Sequence, residues 1–145
     1  MARLEYRLHH DPSELICHYD GIPLEELLIR NVSDWFIRGG TIYEKQSTEK
    51  QDSLHLIYVT PSDQMAEQTI PAIDNAEALV VEIRQFEEEL SDYPLLRLQH
   101  CDSLLDVLLL IQTETITLDG QKWAKSSFEL DEDRKMFIYY ARRIK

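Results

Sequence analysis

The chain has 145 residues, of which 43% are hydrophobic and 29% charged, and its formal net charge is −12. That length and balance support a packed core without disulfide staples and exclude the low-hydrophobicity regime of disorder. The acidity is even, with 6 Lys+Arg against 12 Asp+Glu up to Ala72 and 9 against 15 after it, so phosphate backbones and anionic membrane surfaces are repelled and neither is an expected partner.

Cys17 and Cys101 are too few for a disulfide framework, the start "MARLEYRLHH" has no apolar signal core, and no segment approaches ~18 uninterrupted apolar residues. A cytoplasmic location is the expectation. A single Cys17–Cys101 disulfide stays open at this point.

In chain order, residues 2 to 9 alternate apolar and polar, the period of a half-buried strand. A second strand from Leu15 to Tyr19 reaches the turn pair Asp20-Gly21, and Pro23 just beyond argues for an edge position or a non-strand continuation. "PLEELLIRN" places Leu24, Leu27 and Leu28 on one helical face, enough for one turn or two. Gly39-Gly40 sits between two β-prone runs and predicts a hairpin, "QSTEKQD" reads as a polar turn, and "SLHLIYVT" alternates again. The first sixty residues therefore predict an antiparallel meander.

Periodicity lapses between Pro61 and Pro71, which makes 61–73 the one candidate seam in what reads as a single domain spanning 1–145. Beyond it, Asp74 with Glu77 resembles an N-cap pattern, and Leu79, Val80, Ile83, Phe86 and Leu90 recur at helical spacing, predicting a helix that Tyr93-Pro94 ends. "LLRLQH" predicts a short strand. Asp102 or Ser103 caps a second helix, "LLDVLLLIQ", whose apolar residues run almost all round and call for burial on more than one side. "ETITLDGQKWAKSSFEL" reads as strand, Asp-Gly turn and strand. A four-residue charged turn precedes a last segment, residues 135–144, that fits a strand or a helix, its Phe-Ile-Tyr-Tyr run favouring strand. No repeat of about 20 to 50 residues is present. The expected fold is α+β: a mostly antiparallel sheet, made of the N-terminal meander and C-terminal strands, packed with two principal helices.

For chemistry, His100-Cys101-Asp102 comes nearest to a signature, because a thiol just before a helix can be activated. Adjacent residues of an extended segment face opposite ways, however, so Cys101 needs a base from elsewhere, such as His18 or His55. Cys17-His18 meets the same objection. Zinc is not expected: Cys17, Cys101, His18, His100 and the His9-His10 pair supply suitable atoms but neither C-x-x-C nor H-x-x-x-H. The acidic runs "QFEEELSD" and "ELDEDR", and the basic cluster Arg134, Lys135, Arg142, Arg143 and Lys145, read as solvated surface. No glycine-rich phosphate loop or G-x-S-x-G occurs, and no cofactor is expected. Trp35, Tyr43, Tyr58, Trp123 and Tyr139 are candidates for an aromatic binding groove.

These readings point to a non-catalytic module that binds another protein or a second copy of itself through a sheet edge or helix face. The alternative is a small enzyme or ligand-binding domain built on Cys101 and a neighbouring histidine.

Overall fold

The structure is a computed structural model and describes residues 2–65, 79–88 and 93–145. In chain order it contains β1 (Ala2–Leu8), β2 (Leu15–Ile22), α1 (Leu24–Val32), β3 (Trp35–Arg38), β4 (Thr41–Gln51) and β5 (Leu54–Met65). Then come β6 (Leu79–Gln85), β7 (Leu95–Cys101), α2 (Leu104–Gln112), β8 (Thr115–Leu118), β9 (Gln121–Asp131) and β10 (Met136–Arg143). All ten strands belong to one mixed sheet of order β2-β1-β5-β4-β3-β9-β10-β6-β7, with β8 on β9 beside that path.

The sheet is not mostly antiparallel, as the sequence suggested. β1 runs parallel to β5, β6 parallel to β10, and β3 parallel to β9. Each parallel contact joins strands that are not sequence neighbours, so a residue-by-residue reading of alternation carries no trace of it.

The chain holds two copies of one unit, β-β-α-β-β-β. Helices α1 and α2, hairpins β3–β4 and β8–β9, and their turns each recur 80 residues apart. The same hydrogen bonds recur with them. Ser33 Oγ donates to the Ile29 carbonyl and Thr113 Oγ1 to the Leu109 carbonyl. Lys45 Nζ donates to the Asn31 carbonyl and Lys125 Nζ to the Ile111 carbonyl, placing a cation on the carbonyls at each helix C-terminus. Turns Gly39-Gly40 and Asp119-Gly120 all have positive φ, as tight hairpins require. A period of 80 residues is longer than the 20 to 50 of short structural repeats, and few residues are identical between the copies.

Several predicted elements change. Residues 79–85 form strand β6, not a helix; Asp74, Glu77 and Leu90 lie outside the described residues, as does 66–73 of the candidate seam, while 61–65 belong to β5. The reason is burial on both faces: Val80 to Arg84 are all buried between β10 and β7, which erases alternation and lets the Val-Val-x-Ile run mimic helical spacing. Asp20-Gly21 is not a turn but a bulge inside edge strand β2, where the register skips Gly21, whose φ is +67°. Residues 46–51 of "QSTEKQD" are the exposed polar half of β4, and only its Asp52 belongs to the turn, Asp52-Ser53. The hairpins at Gly39-Gly40 and Asp119-Gly120, strand β7, and the strand reading of the last segment agree with expectation.

Two buried clusters underlie the helices. One gathers Leu4, Tyr6, Ile22, Leu27, Phe36, Ile57 and Val59 from the first repeat with Leu130 from the second. The other gathers Val81, Ile83, Val107, Ile111, Trp123, Phe128 and Tyr139 with Ile29 from the first. Each repeat thus lends one buried residue to its neighbour's core, with Phe137 and Val32 packed alongside. Arg30 fixes α1 further: its guanidinium lies 4.3 Å from the Tyr19 ring centroid and pairs with Glu26 at 3.3 Å and Glu132 at 3.5 Å.

The N-cap of α2 is Ser103, whose hydroxyl accepts from the Asp106 N–H at 3.3 Å. Ser103→Ala is expected to lower stability by about 1 kcal/mol, measured as a reduced urea midpoint with an unchanged m-value.

Candidate interaction surface and buried charge cluster

The apolar circumference of α2 is not buried on more than one side. Val107 and Ile111 enter the core, but Leu105 and Leu109, four residues apart on the opposite face, are 58% and 66% exposed. On α1, Leu24 and Leu28 repeat that spacing at 65% and 38% exposure. The two helices pack against each other. Adjacent helices thus carry outward leucine rows, an arrangement that costs hydration free energy in the isolated chain.

The charges around these rows have one sign. The segments 23–34 and 102–114 carry Glu25, Glu26, Asp34, Asp102, Asp106 and Glu114, and their one basic residue, Arg30, is buried. Lys45 and Lys125 reach only the helix C-termini.

The thiol and histidine candidates do not come together. Cys101 lies on β7 and His18 on β2, at opposite ends of the strand order, so His18 cannot serve Cys101, and Cys17 on β2 cannot form a disulfide with it. Both cysteines are free. Burial, with help from Asp106 and Asp102, pushes the Cys101 thiol up, and burial raises Cys17 as well. These are the wrong directions for a thiolate nucleophile. His100 is exposed on β7, and His18 is exposed with Nδ1 3.4 Å from Asp20. Among the described residues, no group of three or more His, Cys, Asp or Glu is placed to hold a metal ion.

The five aromatic candidates are dispersed. Trp123 and Tyr139 are buried in the second core, where the Tyr139 hydroxyl donates to the Thr113 carbonyl at 2.8 Å. Tyr43 packs on the first core, its ring centroid 6.0 Å from that of Phe36. Trp35 and Tyr58 neighbour core residues Phe36 and Ile57 along their strands and so face the other side of the sheet, where the Tyr58 hydroxyl donates to Glu49 at 3.1 Å.

That other side holds a charge cluster, of which the sequence places Glu129, Asp131 and Arg134 in solvent. Glu82, Glu129 and Asp131 are only 3%, 6% and 4% exposed. Arg134, read as part of a solvated basic end, donates to both Glu82 oxygens at 2.9 and 3.2 Å and to Asp131 at 2.7 Å. Arg84 adds a bond to Glu82 at 3.1 Å. Burial works to raise the Glu82 carboxyl, but the bonds from Arg134 and Arg84 outweigh it and hold the group below its ordinary value. Among the described residues Glu129 receives one bond, from the Tyr140 hydroxyl at 2.8 Å, and burial pushes it up to about 7. The sequence signal was a carboxylate inside an apolar strand run, as in "VVEIR" and "FELD".

No helix among the described residues is long and apolar enough to cross a membrane. No family model, curated protein or solved structure matches the chain.

Two outcomes follow from the buried ion pairs. Arg134→Met leaves Asp131 and half of Glu82 unpaired and is expected to cost about 3 kcal/mol, read by urea denaturation at pH 7. Because the folded Glu82 pKa is depressed, its contribution is complete above the unfolded value and is lost as pH falls through the folded one; Glu82→Gln should therefore flatten the acid limb of a Tm-against-pH curve.

Proposed function

We propose that the protein is a non-catalytic, cytoplasmic protein-binding module whose docking surface is the outer face of the α1–α2 pair. The observation that carries this reading is the exposure of Leu24, Leu28, Leu105 and Leu109 on two contacting helices. Paired helices offer a shallow apolar groove of the kind that receives an amphipathic helix by its i, i+3, i+4 anchors. The acidic rim and the net charge of −12 favour a partner segment with lysines and arginines flanking its apolar stripe, and disfavour a second, equally acidic copy. The raised thiols and the separation of Cys101 from His18 weigh against the enzymatic alternative.

The test uses two synthetic 18-residue amphipathic helices of identical leucine pattern, one with lysine and one with glutamate on the polar face. Fluorescence anisotropy should show the lysine peptide binding and the glutamate peptide not. The double variant Leu105→Glu and Leu109→Glu should bind the lysine peptide at least tenfold more weakly although it is more acidic. Equal binding by the variant would reduce the effect to bulk charge and overturn the site. Concentration-dependent dimerisation of the wild type, abolished in the variant, would replace the basic partner by a second copy.

A further inference from the structure

The two repeats share one strand pairing among the described residues. It is three residues long: Trp35, Phe36 and Ile37 of β3 lie parallel to Glu129, Leu130 and Asp131 of β9. Flanking it, the Asp34 N–H donates to the Phe128 carbonyl, the Phe128 N–H to an Asp34 carboxylate oxygen, and the Glu132 N–H to the Ile37 carbonyl. Glu129 is therefore part of the seam itself, level with Trp35.

Its surroundings cannot satisfy it as an anion. On the same face lie Asp131 from β9, Tyr140 from β10, Glu82 and Arg84 from β6, Arg134 from the β9–β10 turn, Trp35 from β3, and Glu44 from β4 beyond Trp35. Three buried carboxylates meet two guanidiniums, and both guanidiniums are spent elsewhere. Arg134 is held by Glu82 and Asp131, while Arg84 bonds Glu82 and the Tyr93 carbonyl. Among the described residues Glu129 has one bonding partner, the Tyr140 hydroxyl, which donates to one oxygen and leaves room for a proton on the other.

We propose that Glu129 is a proton-operated latch on the β3–β9 seam: with its carboxyl protonated the two repeats are joined, and loss of that proton favours local separation of β3 from β9. The proton moves between the carboxyl oxygen and solvent, so no other reactant is needed. Linkage sets the sign. A carboxyl whose joined-state value is about 7, against 4.5 when released to water, makes opening tenfold more favourable per pH unit between those values and adds nothing above them.

The experiment is hydrogen exchange in the EX2 regime on the full chain from pH 4.5 to 8.5, with intrinsic exchange divided out. Protection of the amides of 35–37 and 129–132 should fall by on the order of a few hundredfold up to about pH 7 and then level off. The β1–β5 amides should stay unchanged. Glu129→Gln, which keeps the bond from Tyr140, should abolish the fall. Tyr140→Phe, which removes the one donor that favours the anion, should extend the fall to higher pH and provides a test that does not depend on the first variant folding. A flat wild-type profile, a fall that persists in Glu129→Gln, or an equal loss throughout β1 and β5 would each overturn the latch.

Discussion

The three-residue parallel pairing of β3 with β9 is the constraint on which the rest of the structure depends. It converts two five-stranded halves into one sheet, sets α1 beside α2, and closes the cores in which Leu130 and Ile29 cross over. The repeats do not use it symmetrically. The matching pairing would join β8 to the far half of β4, and that half presents Glu49, Lys50 and Gln51 to solvent. Where the seam does form, Trp35-Phe36-Ile37 lie level with Glu129, Leu130 and Asp131, and Phe36 and Leu130 share the first core. Charged residues blunt the edge left open, a common defence against unwanted strand addition.

Each face of the sheet takes a separate role from this arrangement. The helix face buries aliphatic and aromatic side chains beneath two short helices, leaving leucines outward. The opposite face buries ions. Guanidinium–carboxylate pairs far from water are costly to assemble and costlier to break, so the Glu82–Arg134–Asp131 set specifies how β6, β9 and the β9–β10 turn fit together more than it adds stability. Glu129 is the surplus acid of that set. Its position on the seam gives it mechanical consequences that an equally buried acid inside one repeat would lack.

Some local signals survived into the structure, although Asp20-Gly21 became a bulge and "QSTEKQD" mostly strand. Gly39-Gly40 and Asp119-Gly120 marked hairpins through positive φ, Ser103 marked a helix start, and Pro23 agreed with an edge strand. Non-local pairing left no such mark. β6 was misread because burial on both faces removed its alternation, and the parallel contacts and the 80-residue duplication depend on partners distant in sequence. The site was partly legible: the all-round apolarity of α2 was visible, but the sequence implied that it would be covered. The burial of Glu129, Leu130 and Asp131 could not be read from charge alone, because Arg134, three residues beyond Asp131, is drawn inward by Glu82 of a strand distant in sequence.

Docking on the α1–α2 pair, as proposed, requires that the leucine rows of both helices face water in the free protein. Methyl-resolved NMR with a soluble gadolinium chelate measures this directly. Strong, concentration-independent relaxation enhancement is expected at the methyls of Leu24, Leu105 and Leu109, and none at those of Val107 and Ile111. Protection of the three leucines at every protein concentration would mean that this chain covers its own helices, and would contradict docking there.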